Sequence, residues 1–315
     1  MCPQYRESSA RGVTSQRFGL LSWLHMNRRQ NDLITAAFFL LPSLLIFGVF
    51  TYSAMGFNAY LSFTNSNFFD QTFVGLMNYQ KLLTDRRFWI AARNTLYYTF
   101  GRVSLCMVLG LILAVVLNQK LKGRGLYRAL IFSPYVTSTA ATSLLWAWVF
   151  EPTHGVLNFI LSCLGIHGPR WLTSTTWALP AIIIMDVWRL VGYTMTIFLA
   201  GLQNIPRELY DAAKVDGAGP WDCFWKITLP LLSPTTFFLI VTGFTGSFLL
   251  FDAVAIMTQG GPVNATLVFN YYIYTQAFQM IKAGYASSIS VVVFLLIMGL
   301  TLFQIIMSRR WVYYQ

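Results

Sequence analysis

The chain is poor in charge: only 10% of its 315 residues are Asp, Glu, Lys or Arg, and acidic residues number just eleven. Its four cysteines, Cys2, Cys106, Cys163 and Cys223, form no C-x-x-C pair, and its histidines, His25, His154 and His167, have no ligand-like spacing, so neither a redox nor a metal site is expected. No lysine is followed by Ser or Thr, which excludes a phosphate-cradling G-x-x-x-x-G-K-[ST] loop; any ATP chemistry must come from a partner. The sequence shows no catalytic constellation, internal repeat, low-complexity tract or separate soluble domain. No A-x-A site follows the first apolar run, which argues against a cleaved signal peptide.

Apolar residues fill this gap. They make up 56% of the chain, more than one soluble core needs, so the surplus must face lipid. A helix needs about 20 apolar residues to cross the hydrocarbon, and six stretches qualify: 33–55, 95–117, 129–150, 177–201, 235–257 and 285–307. The expected fold is an all-α polytopic membrane helix bundle, with a tail over 1–32 and a transmembrane domain over 33–315. In the tail, Phe18, Leu20, Leu21, Trp23 and Leu24 lie between Arg17 and Arg28-Arg29, which suits either a short helix at the membrane interface or a partly ordered tail. Gly155 to Leu161 is apolar but too short to span, and Trp171 and Trp177 fit an interfacial aromatic belt.

The net charge of +11 is not a nucleic-acid patch, because the basic residues sit in short segments between apolar runs. The tail, the 119–128 loop, the 203–234 loop and the C-terminus hold fourteen Lys and Arg residues. The alternate loops hold six, so the former set, including both termini, is expected in the cytoplasm.

Between the fourth and fifth runs lies a polar island, 204–234. Asn204 and Pro206 precede Glu208 and Asp211, which place negative charge in the first turns of a helix. Gly217 can end that helix in a left-handed conformation, and Gly219-Pro220 restarts the chain as a second short helix. Ala212, Ala213, Val215 and Ala218, beside Asp211 and Asp216, make a small flat surface. It suits either packing on the chain's own helix ends or insertion into a groove of another protein.

Asp211-Ala212-Ala213, Gly217 and Ile227-Thr228-Leu229-Pro230 resemble the EAA loop of bacterial ABC importer permeases. Gly260-Gly261-Pro262 with its Tyr-rich continuation, and Gly284-Tyr285-Ala286, resemble the maltose and glycerol-3-phosphate branch of the carbohydrate permeases. Asp211 stands where that loop usually has Glu, keeping the charge with a shorter reach. The resemblance implies a permease subunit of the bacterial inner membrane, paired with a second homologous permease. It also implies two ATPase subunits, which bind ATP and Mg and dock on the elbow through Glu208, Asp211, Ala212, Ala213, Asp216, Gly217 and Ala218. An extracytoplasmic binding protein would deliver solute, and the chain itself would bind no cofactor and catalyse no reaction.

Ionisable residues inside spans point to the bundle interior or a watery cavity. Asp186, Arg189 and Tyr193 share one face of the fourth helix, either as a structural Asp–Arg pair or as solute contacts. Arg102, in the second span, is read as structural. The resemblance places solute contacts on the helices flanking the elbow, which adds Ser247, Leu250 and Phe251 beside Gly243, and then Asp252, on the fifth helix. These residues suit a sugar or related polyol, with glycerol-3-phosphate or a phosphodiester as the close rival. An ion-coupled secondary carrier using Asp186 or Asp252 is the more distant alternative.

Overall fold

The computed structural model describes residues 32–33, 35–67, 71–119 and 121–312; the tail helix expected around 18–24 lies outside them. The residues up to Tyr60 and those from Leu61 form two compact units. The first is represented by α1, Thr35–Leu61, apolar all round and with no buried side chain. Such a helix is built for hydrocarbon, not for a soluble core.

The second unit opens with a two-stranded antiparallel ribbon, β1 Thr64–Ser66 and β2 Gln71–Phe73, in which Asn65 pairs with Thr72. The following helix α2, Met77–Thr84, is tied back when Asn78 Nδ2 donates to the carbonyls of Ser62 and Thr64 at 3.0 and 2.8 Å. Then come α3 Arg86–Asn118, α4 Arg124–Val136, α5 Thr139–Val149, α6 Val156–Cys163 and α7 Ala178–Gln203. They are followed by α8 Arg207–Val215, α9 Pro220–Leu231, α10 Ser233–Phe248, α11 Asp252–Met257, α12 Phe269–Tyr274 and α13 Ala283–Ser308.

Helices α1, α3, α7 and α13 are long and apolar enough to cross a membrane. The other two expected spans are broken. The 129–150 run divides at Thr137, which is extended, and Ser138, which is also non-helical. Pro134 has already removed one backbone donor there, and Thr137 Oγ1 turns back to the Pro134 carbonyl at 2.6 Å. The 235–257 run divides between Phe248 and Asp252, and α10 meets α9 at a 59° bend, so that pair counts together as a fifth span. Helix α3 starts well before residue 95 because Asp85 caps it, accepting from the Arg87 N–H at 2.8 Å.

Helix α7 is central, packing along α3, α4 and α10. Gly192 explains how closely α4 can approach: a Cβ there would stand 2.1 Å from the Ile131 carbonyl oxygen. Lipid is as apolar as these side chains, so the helices are held by close contact and not by exclusion of water. One core gathers Tyr98, Phe150, Ile182, Met185, Phe269 and Ile289. A second, toward the C-terminal end of α7, gathers Ala114, Met195, Phe198 and Leu232.

Asp85 fastens the end of the bundle opposite this second core. Its carboxylate accepts from the hydroxyls of Tyr272 and Tyr285. Burial works against its charge, but those two hydrogen bonds and the backbone N–H of Arg87 hold its carboxyl below the ordinary value. Trp171 is not part of an interfacial belt. It is buried against Phe150 and Trp177, with Nε1 donating to Asn158 Oδ1 at 2.7 Å, while Trp177 remains exposed.

Candidate functional site

Midway along α7, Asp186 is 3% exposed, so its charge must be met inside the bundle. Oδ2 accepts from the Tyr98 hydroxyl and lies 3.2 Å from Arg102 Nε. Oδ1 accepts from Arg189 Nε at 3.1 Å and pairs with its Nη2 at 3.0 Å. Arg102 Nη1 donates to Ser247 Oγ at 2.8 Å, and Ser247 in turn donates to the Gly243 carbonyl at 2.8 Å. One carboxylate therefore holds two guanidiniums and ties α3, α7 and α10 together.

Beside this hub is a cavity of about 220 Å3 lined by Arg102, Cys106, Tyr135, Tyr193, Thr194 and Thr242, among others. Two of these lining rings, Tyr135 and Tyr193, stack on each other at 4.9 Å and 23°. Guanidinium N–H groups, hydroxyls and an aromatic face are the groups that hold a polyhydroxylated ligand. The volume is that of a partial site, below the roughly 300–1,000 Å3 of complete ligand sites.

Of the residues expected on this face, Tyr193 lines the cavity, and Asp186, Arg189 and Ser247 build the hub behind it. Both Asp186 oxygens are engaged, so this residue positions Arg102 more than it accepts from a ligand. Leu250 is buried in the core, Phe251 packs on Tyr271 and Tyr274, and Asp252 is exposed at the start of α11. They leave the Gly243–Ser247 face because α10 ends at Phe248, where the helical period stops. Tyr98 and Tyr135 were not anticipated. Arg102 was read as structural; it does pair with Asp186, and it also lines the cavity.

The second site is the elbow. Helix α8 ends at Val215, after which the Gly217 N–H donates to Lys214 O at 3.0 Å and the Ala218 N–H to Ala213 O at 2.9 Å. This is a Schellman cap, which requires a left-handed residue, and Gly217 has φ +80°. Pro220 then begins α9 at its first turn. Asn204 closes α7, and Pro206 is the N-cap of α8.

Glu208, Asp211, Ala212, Asp216 and Gly217 are exposed, while Ala213 and Ala218 are half-buried. A Cβ at Gly217 would meet no atom within 4 Å, so the crest of the turn is open to a partner. Behind the crest, Tyr210 donates to or accepts from Thr228 Oγ1 at 2.9 Å, and Leu202, Ile205 and Leu232 are buried. The Tyr210–Thr228 bond thus ties α8 to α9.

Residues 107–313 match the family described as "Binding-protein-dependent transport system inner membrane component". The trehalose/maltose transport system permease protein MalF of Thermococcus litoralis is 37% identical over 245 residues, covering 76% of this chain and 81% of that protein. The lactose transport system permease protein LacF of Rhizobium radiobacter is 37% identical over 278 residues, covering 86% of this chain and 93% of its own. Among solved structures, a bacterial ABC transporter involved in the import of the acidic polysaccharide alginate has a chain that superposes with a TM-score of 0.79. That chain is 25% identical, and the match covers 91% of this chain and 98% of the other.

Proposed function

Because this chain belongs to the binding-protein-dependent transport system inner membrane components, we propose that it is a permease subunit of an ATP-driven importer and carries a sugar or related polyol by alternating access. The observation that carries this reading is the continuity of two helices. Helix α7 runs from Asp186, Arg189 and Tyr193 directly into the elbow, and α9 and α10 run from the elbow to Ser247. The polar groups around the cavity and the carbohydrate names of the relatives both support a sugar.

Six spans follow: α1, α3, α7 and α13, with the broken pairs α4–α5 and α9–α10. The elbow and both termini face the cytoplasm, by the excess of Lys and Arg there. Glu208, Asp211, Ala212, Ala213, Asp216, Gly217 and Ala218 form the docking crest for one of two ATPase subunits, which bind ATP and Mg. A second permease closes the partial site, and an extracytoplasmic binding protein delivers the solute. Closure of the ATPases moves the crest, and the Tyr210–Thr228 link rocks α7 against α10 around the hub.

Arg102 and Tyr193 contact the solute, with Asp186, Arg189 and Ser247 holding Arg102 in place. Tyr193→Ala removes a stacked ring at the cavity wall, and uptake of the transported sugar into vesicles is expected to fall about tenfold with assembly intact. An unchanged rate in a normally assembled variant removes Tyr193 from the site.

A further inference from the structure

Behind the docking crest, between the ends of α3 and α7 and the start of α4, lies an open groove of about 870 Å3. Three cations line it, Arg124, Arg207 and Lys214, and no acidic residue does. Lys214 is shared with Asp211 at 3.2 Å, whereas Arg124 and Arg207 have no ion-pair partner among the described residues. The remaining walls include amides from Asn118, Gln119 and Gln203, and accessible apolar surface from Val115, Pro220 and Phe224.

Helix α8 is two-faced. Arg207, Tyr210 and Lys214, at i, i+3 and i+7, line the groove, while Glu208, Asp211 and Val215, with the same spacing, form a second face. Val215 is 87% exposed on that second face. The crest and the groove meet at Ala218 but differ in chemistry: the crest is acidic and small-residue, and the groove is a basic, amide-rich, partly apolar trough. The groove sits at the ends of membrane-length helices, where headgroups lie. Paired cations and amide donors suit a phosphodiester, and the apolar wall suits the first carbons of acyl chains.

We propose that this groove binds an anionic phospholipid, with Arg124 and Arg207 on its phosphate, and that the bound lipid braces α8 against α3 and α4 behind the crest. The lipid would set how firmly the elbow transmits movement.

The test uses the complete importer, purified with its partner subunits. It is reconstituted in nanodiscs of phosphatidylcholine alone or of phosphatidylcholine doped with cardiolipin, and retained lipid is read by native mass spectrometry. The double variant Arg124→Gln/Arg207→Gln is expected to retain cardiolipin about thirtyfold less, the product for two basic residues. Arg170→Gln, at the opposite end of α7, serves as the control and is expected to retain it normally. Equal retention by the double variant and the wild type overturns the proposal, as does equal retention of phosphatidylcholine and cardiolipin. Displacement of cardiolipin by inorganic phosphate assigns the groove to a free anion, and retention that appears only after the ATPase subunits are stripped from the importer assigns it to a protein partner; either result also overturns the proposal.

Discussion

Asp186→Leu is expected to destabilise the permease by about 3–5 kcal/mol, the cost of stripping a buried ion pair of one partner. Two guanidiniums, Arg102 and Arg189, would then face each other without their shared carboxylate, and Tyr98 would lose its acceptor. The readout is the thermal midpoint of the purified complex, together with the amount of subunit recovered from the membrane. Replacing all three charges, Asp186→Leu with Arg102→Met and Arg189→Met, is expected to restore most of the midpoint, because an apolar cluster of similar volume needs no compensation. Transport stays lost in the triple variant, since Arg102 no longer lines the cavity. A single Asp186→Leu variant of wild-type stability contradicts the hub as the tie between α3, α7 and α10.

Gly217→Pro attacks the other end of the same mechanism. Proline fixes φ near −65°, whereas the Schellman cap holds Gly217 at +80°. Proline also removes the N–H that donates to Lys214 O. The turn cannot form, and the crest carrying Asp216 and Ala218 is displaced. The substitution lies at an exposed position with no neighbour within 4 Å, so the helices should still insert and pack. The expected result is near-complete loss of ATP-driven uptake with subunit levels unchanged. Gly217→Ala, which meets only the left-handed strain of about 1–2 kcal/mol, should show a partial loss. Normal uptake and normal ATPase co-purification with Gly217→Pro refute the elbow as the coupling element.

The elbow was legible because its turn depends on local chemistry. Glu208 and Asp211 in the first turns, Gly217 at the left-handed position and Pro220 at a helix start constrain the backbone wherever the segment lies. The hub was half legible. Asp186, Arg189 and Tyr193 fall on one face by helical spacing alone. Tyr98 and Arg102 also share a face, four residues apart, but nothing local says that this face meets Asp186. That meeting depends on how α3 crosses α7, at a contact where Gly110 lets Thr194 approach within what would be 2.7 Å of a Cβ. The two broken spans were hidden for another reason. Hydropathy continues through Thr137–Ser138 and through Leu249–Phe251, whereas the first break follows Pro134, with the Thr137 hydroxyl on its carbonyl, and the second follows the Leu249 cap on the Gly246 and Ser247 carbonyls. Phe251 and Asp252 were assigned to the cavity face on the assumption of an unbroken period, and the structure seats them elsewhere.

The most direct measurement is uptake of radiolabelled sugar by proteoliposomes containing both permeases, supplied with the loaded binding protein and ATP, with and without the ATPase subunits. The account predicts accumulation only when the ATPase subunits and ATP are both present. Accumulation that persists without the ATPase subunits would contradict it and would make this chain a self-sufficient carrier.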